Sequence, residues 1–322
     1  MLQAKVEKLL IICGPTSTGK TKLALHLARR LGGEILSADS RQVYKGMDIA
    51  TGKDLPYGVK LKTPWFKKFG FYEIEGVRVW GYDLVEPTRE FSVAQYLKFA
   101  DKIITYIKVR KKLPIVVGGT GLYIKAIVDG IPTAEIPRNE SLRKNLGKKN
   151  PDELFEILAQ LDSLRAGGMN ASDRKNPRRL IRAIEVAAST KKPTVDSRRS
   201  TEDSLFIGLT AHQKVLTARI EQRVKDRVKG GIEKEIEMLL KRQVSWNSQA
   251  MTSLGYRQWR GYFSGKKKKE EVLKDWAREE IKYAKRQITW FKKDKRINWF
   301  DITQKNLDKK VEKMAQKWYI RP

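Results

Sequence analysis

The stretch Gly14-Pro15-Thr16-Ser17-Thr18-Gly19-Lys20-Thr21 decides the fold. It fits G-x-x-x-x-G-K-[ST] at every fixed position, and its setting fits as well. Lys8 to Ile12 before it reads as a short buried strand, and Thr21 to Leu31 after it reads as a helix with Leu23, Leu27 and Leu31 on one face. In such a turn successive backbone N–H groups converge on an anion, and the positive end of the helix adds to the pull. Lys20 can reach a terminal phosphate, and the Thr21 hydroxyl can bind Mg²⁺. Gly14 to Thr21 are therefore expected to bind a di- or triphosphate. The motif fixes the anion and leaves the reaction open.

Working outward, Glu34 to Ala38 reads as a second strand ending at Asp39. Leu113 to Val117 is a third, closed by Gly118, Gly119 and Gly121, with further strands at Leu205 to Leu209 and Ile297 to Phe300. Helical stretches lie between them at Ser92 to Val109 and Ala218 to Leu240. The alternation implies an α/β fold of the P-loop NTPase-like class, a mostly parallel, doubly wound sheet flanked by helices. Residues 56–82 are rich in Gly, aromatics and Lys and are expected to hold a hairpin, Phe69 to Ile74 with Val77 to Trp80. Residues 131–202 read as helical throughout, starting after Pro132 and Pro137 and ending in Ser197-Arg198-Arg199-Ser200. They form a helical insertion domain, leaving residues 1–130 and 203–322 as the core. Lys266 to Lys269 reads as a solvated turn.

The chain has 322 residues and 40% hydrophobic content, enough for about two domains. It carries 67 Lys+Arg against 37 Asp+Glu, a formal net charge of +30. An excess of this size raises affinity for polyanions and points to a nucleic-acid partner without saying which. One cysteine, Cys13, and two histidines, His26 and His212, cannot build a Cys/His zinc site, and Cys13 is expected to pack as a small hydrophobe. The apolar stretch near the N-terminus is too short for a signal peptide, and no segment nears the ~18 apolar residues of a membrane span. A soluble, cytoplasmic monomer with no membrane partner is expected.

Asp39 stands at the carboxyl end of a strand, the edge that holds the ligand crevice in an open α/β sheet. It can serve as a proton acceptor, as a helix N-cap or as an Mg²⁺ ligand. A kinase or NTPase would need an acidic Mg²⁺ partner near the end of a neighbouring strand. The strand Leu113 to Val117 ends in glycine, although Asp83, after Val79 to Tyr82, could serve.

Two segments suggest how a nucleic acid would be held. Lys175, Arg178, Arg179 and Arg182 recur at helical spacing as one basic stripe, with Leu180, Ile181, Ile184 and Ala188 on the other side. Residues 282–296 carry seven basic residues against one acid, Asp294, with Ala277, Ile281, Ala284, Ile288 and Phe291 as the docking face. Trp290, Trp299 and Tyr283 are expected in the core rather than as platforms for bases.

The chain resembles the bacterial tRNA dimethylallyltransferase (isopentenyl transferase) family over nearly its whole length. The matching stretches are GPTSTGKT at 14–21, DSRQVYKGMDI at 39–49, PIVVGGTGLYIKA at 114–126 and NPRRLIRAIEV at 176–186. They continue with RIEQRVKDRVKGGIEKEI at 219–236, SLGYRQW at 253–259 and YAKRQITWF at 283–291. The phosphate loop is shared by many families, whereas the DSRQVY, GGTGLY and AKRQITWF stretches in this order are specific to this one. The resemblance implies that the loop grips dimethylallyl diphosphate and that Mg²⁺ assists. It implies a catalytic set of Asp39 as general base, Thr21, Lys20, Arg219 and Arg223. It further implies contacts to the tRNA anticodon stem-loop from Asp39, Ser40, Arg41, Gln42, Thr120 and Arg143, and from Asn176, Arg178 and Arg179. Gly255, Tyr256, Arg257, Lys285, Arg286 and Gln287 complete that set. The acceptor would be N6 of the adenosine 3′-adjacent to the anticodon, taken out of its stack to react. A P-loop kinase acting on a small molecule or an RNA end is the alternative, and a relative that prenylates free AMP or ATP is another. The chain departs from the family at Ser17-Thr18, at Ala50-Thr51-Gly52-Lys53, and in residues 56–82, where Val79-Trp80-Gly81-Tyr82-Asp83 replaces a double-His stretch.

Overall fold

A computed structural model describes residues 8–64, 69–190 and 204–320. The end of the helical stretch expected over residues 131–202, Ser197 to Ser200, lies outside the described residues. Five strands form the parallel core: β1 (Leu9–Cys13), β2 (Gly33–Ser37), β5 (Leu113–Gly118), β6 (Ser204–Thr210) and β7 (Ile297–Asp301). The expected hairpin is β3 (Phe71–Ile74) and β4 (Val77–Trp80). It turns at Glu75 and Gly76, both at positive φ, as a tight hairpin turn requires. The order across the sheet is β3-β4-β2-β5-β1-β6-β7, with β3 alone antiparallel to its neighbour. Every residue of β1 is buried, because a central parallel strand is covered on both faces.

Helices α1 (Lys20–Leu31), α2 (Val93–Val109) and α3 (Gly121–Asp129) follow strands β1, β4 and β5. A capping box starts α2, with Ser92 and Gln95 satisfying each other's backbone N–H groups. After a run of short helices α4 (Glu140–Leu146), α5 (Pro151–Leu161), α6 (Ser163–Gly167), α7 (Ala171–Arg174) and α8 (Pro177–Ala187), the chain returns through β6 to α9 (Gln213–Lys229) and α10 (Ile232–Lys241). The single helix expected over Ala218 to Leu240 is two. Gly230 caps the first, and Gly231, at φ 92, adopts a left-handed conformation that ends one axis and starts another. Helices α11 (Arg260–Phe263), α12 (Lys269–Phe291) and α13 (Leu307–Ile320) complete the chain. The basic helix expected to run through 296 stops at Phe291, and Lys269 of the expected turn is already in α12.

Leu10, Ile12 and Val117 face α1 and α13 on one side of the sheet, while Ile11, Val116 and Phe206 face α2, α3 and α12 on the other. Cys13 lies in the second layer, where burial pushes its thiol up to about 12, so it behaves as a small apolar side chain. No helix among the described residues is long and apolar enough to cross a membrane.

Contacts between Cα atoms divide the chain into two compact units, residues 1–129 with 200–322, and residues 130–199. The second unit has its own core around Leu154, Leu158, Leu180 and Ile184, whereas Ala188, expected on that face, is exposed. The buried Glu185 carboxylate organises this unit. It accepts bonds from Arg143 Nε (2.6 Å) and Nη2 (2.7 Å), from Arg182 Nη1 (3.0 Å) and from the Asn139 N–H (3.0 Å). Burial works against its charge, but the Arg143, Asn139 and Arg182 bonds prevail and hold its carboxyl down at about 2. Glu185→Gln should destabilise this unit by about 3 kcal/mol in denaturant titration of the intact chain, since it removes the buried charge that pairs with Arg143 and Arg182. The Glu185 contribution is complete above the ordinary carboxylate range and is lost as pH falls toward 2. A loss under about 1 kcal/mol would mean that the pair is no stronger than a surface one.

Candidate active site

The phosphate loop leaves the carboxyl end of β1 and enters α1, so its N–H groups face the edge where β2 and β5 also end. Two internal bonds shape it: Thr18 Oγ1 and Lys20 Nζ both donate to the Pro15 carbonyl, at 2.8 and 2.6 Å. A third support comes from far along the chain. The Gln287 amide on α12 accepts from the Thr16 N–H (2.9 Å) and donates to the Gly119 carbonyl (2.8 Å). Burial, with the nearby Arg223, pulls the Lys20 ammonium down to about 8, against the opposing charge of Asp39.

Arginines of α9 close one side. Arg219 Nη1 lies 3.5 Å from the Ser17 carbonyl, and Arg223 Nη1 donates to Thr16 Oγ1 at 3.2 Å. Arg223 Nη2 pairs with Asp54 at 3.0 Å. Opposite, Asp39 follows β2 and Ala38. Its Oδ1 accepts the Arg41 N–H at 2.8 Å, so the carboxylate is oriented by its own turn while Oδ2 carries no bond to the described residues. The Ser40 N–H donates to Thr120 Oγ1 (3.1 Å), and Arg41 Nη1 donates to the Gln249 carbonyl (2.8 Å). Lys20, Asp39, Ser40, Arg41, Arg219, Arg223 and Gln287 line a cavity of about 830 Å³. Tyr82, Leu254 and Tyr283 add apolar or aromatic surface, and burial and the Asp39 charge push the Tyr283 hydroxyl well above its ordinary range.

Of the residues singled out in the sequence, the cavity gathers Thr16, Ser17, Gly19, Lys20, Thr21, Asp39, Ser40, Arg41, Gln42, Arg219, Arg223, Arg257, Arg286 and Gln287. Others have different work. Tyr256 is fully buried, with its hydroxyl on Glu235 at 2.6 Å, and so is no surface contact. Gly255, at φ 87, is needed because a side chain would strike Ala50 and Trp276. Gln42 and Gln287 reach the cavity, but their amides are spent. Gln42 accepts from Ser37 Oγ (2.7 Å) and donates to the Gly52 carbonyl (2.9 Å), and Gln287 braces the loop. The Thr120 hydroxyl holds Ser40, and Lys285 is exposed outside the cavity. In the insertion, Arg143 is locked on Glu185, and Asn176 caps α8 through the Arg179 N–H. Arg182 of the expected stripe turns inward onto the Thr133 and Ile136 carbonyls, because buried acceptors there need a donor. Arg179 pairs with Asp173 but stays exposed, as do Lys175 and Arg178.

Asp83 does not line the cavity. It sits between the buried Lys53 ammonium (2.5 Å) and the Tyr72 hydroxyl (2.6 Å), so Asp83 offers no carboxylate to a metal in the cavity. Sequence reading missed Arg227 and Glu280, which line the cavity as well. Arg227 follows Arg219 and Arg223 at steps of four, a signal present in the sequence.

Two family models match the chain, IPP transferase over residues 42–294 and isopentenyl transferase over residues 7–64. A tRNA dimethylallyltransferase of Anoxybacillus flavithermus is 37% identical over 302 residues, 92% of this chain and 91% of that one. The full-length tRNA isopentenylpyrophosphate transferase of Bacillus halodurans is similar in structure, with TM-score 0.68 at 33% identity over 98% of this chain and 97% of that one. A eukaryotic dimethylallyltransferase acting on tRNA gives TM-score 0.79 at 23% identity over 98% and 81% of the two chains, a likeness of fold.

A lysine held near 8 makes anion binding depend on pH. The Lys20 ammonium is charged below that value and neutral above it. Sulfate, whose own charge is constant here, should bind less tightly as pH rises through about 8, and Lys20→Met should flatten the profile. Titration calorimetry checks this, and a wild-type affinity equal at pH 7 and pH 9 refutes it.

Proposed function

We propose how this chain, which belongs to the IPP transferase family, works: it transfers a dimethylallyl group from dimethylallyl diphosphate to adenine N6 of tRNA and releases diphosphate. The observation that carries the reading is a single cavity in which an anion nest, Lys20 and two arginines face a carboxylate oriented by its own backbone. The N6 lone pair attacks the first carbon of the prenyl group, the C–O bond to diphosphate breaks, and the leaving group carries away the electron pair. The loop N–H groups, Lys20, Arg219 and Arg223 stabilise the charge that grows on it, in a site arranged beforehand. Asp39, through its unengaged Oδ2, takes the N6 proton.

Mg²⁺ fits this site. The Thr21 hydroxyl has no partner among the described residues and lines the cavity, offering the hard oxygen that Mg²⁺ takes alongside phosphate oxygens and water. Bound there it would neutralise diphosphate charge.

The acceptor is the adenosine 3′-adjacent to the anticodon, extruded into the cavity between Asp39 and Tyr283. Exposed Lys285 and Arg286 on α12 and Arg257 contact the anticodon stem-loop, and Lys175, Arg178 and Arg179 supply phosphate contacts from the insertion domain. Ser40 and Arg41 shape the acceptor side of the cavity. The enzyme acts as a monomer in the cytoplasm, where unmodified tRNA is found.

Mass analysis of unmodified tRNA after incubation with enzyme and dimethylallyl diphosphate should show one added prenyl group. ATP in its place should leave no labelled phosphate on RNA, and labelled phosphate there would favour a kinase. Asp39→Ala should lower kcat by about 10²-fold or more, the usual worth of a general base, while tRNA affinity changes little. An unchanged rate removes Asp39 from the role. Binding of tRNA should weaken steeply with salt, log Kd rising linearly with log salt at a slope of several, because several phosphates are neutralised. A flat response contradicts the phosphate contacts.

A further inference from the structure

Arg227 is a buried cation with too few partners. It is 8% exposed, and its guanidinium makes one hydrogen bond to the described residues, from Nη1 to Glu280 Oε1 at 2.9 Å. Its Nε is buried with no partner among the described residues. A guanidinium has five donors, and leaving buried ones unpaired is costly unless something else accepts from them. Trp276 flanks it, with the guanidinium carbon 5.8 Å from the ring centre, and shares Glu280 through its indole N–H at 3.1 Å.

Its position says what that acceptor is. Arg219, Arg223 and Arg227 are one helical turn apart on α9 and line the same cavity. The terminal nitrogens of Arg223 and Arg227 crowd one point, where a Cβ on Gly52 would overlap both. Glycine at that point leaves room for two like charges side by side. The crowding lowers the Arg227 pKa after burial has done so, with Glu280 opposing. Arg223 also donates to Thr16 of the phosphate loop, so the pair of guanidiniums stands at the edge of the anion nest.

We infer that Arg227 is a third arginine for the diphosphate of the prenyl donor, held in its waiting position by Glu280 and admitted beside Arg223 by the missing side chain at Gly52. The inference rests on the reaction proposed above. Glu280 acts as a tether: its carboxylate keeps the guanidinium charged and oriented until the stronger anion takes over its free donors.

Inorganic pyrophosphate binding to the full chain, followed by calorimetry, tests this. Arg227→Met should weaken it about tenfold, the usual size for a lost charge-assisted bond, with tRNA affinity unchanged and KM for the donor raised more than kcat is lowered. Arg227→Lys should recover part of the loss, since a point charge remains without the fork. Glu280→Gln keeps an acceptor for Trp276 but frees Arg227 from a competing charge, and should tighten pyrophosphate severalfold. Pyrophosphate affinities equal to wild type in Arg227→Met, or falling in Glu280→Gln while the protein stays folded, overturn the inference and leave the pair a structural brace. If Arg227→Met does not fold, Glu280→Gln decides. Wild-type protein that binds no pyrophosphate would instead refute the reaction on which the inference rests.

Discussion

One side-chain amide holds the catalytic edge together. Gln287 lies 271 residues from Thr16 and 168 from Gly119, yet bonds to both, so α12 is fastened to the loops that follow β1 and β5. The amide supplies one acceptor and one donor in fixed geometry, which matches one N–H and one carbonyl that the strand ends leave unpaired. Gly119 lets it approach, since any side chain there would run into the amide. With α12 fixed in this way, Tyr283 and Arg286 come to the rim of the same cavity as Lys20 and Asp39.

The opposite wall is held by a second buried network. Lys53, with no exposure at all, donates to Asp48 (2.6 Å), to Asp83 and to the Tyr44 carbonyl (2.8 Å). Glu235 accepts from the N–H groups of Asp48 and Ile49 and from Tyr256. Buried charges of this sort persist only when each is paired and its hydrogen bonds are made. They stiffen the segment that carries Gly52 and Asp54 to the arginines of α9.

The sheet and the anion nest were legible because both leave periodic or fixed-position marks. LLIIC is apolar at each position, as a doubly covered strand must be, and the phosphate loop is a backbone shape that few residue types permit. Roles at individual polar residues were much less legible. Arg178 and Arg182 sit one turn apart in a similar local sequence, yet one is exposed and the other bonds to carbonyls of residues 133 and 136. Gln287 is adjacent to exposed Arg286 but falls on the inward face with Ala284 and Glu280, a placement that helical periodicity alone could have given. Tyr256 lies in a stretch rich in polar residues, and nothing local reveals that Glu235 waits for it in the interior. The break at Gly230-Gly231 is marked by two adjacent glycines, but charged and apolar periodicity continues across it and masks the mark.

The second unit enters the chain after α3 and leaves it before β6, and β6 must pair with β1 to complete the centre of the sheet. During folding, that pairing closes a long loop, whose entropic cost rises with the freely moving length. A segment with its own packed core around Leu154 and Leu180 can collapse first and shorten the effective span. Weakening that core would then be expected to slow formation of a sheet in which it takes no part.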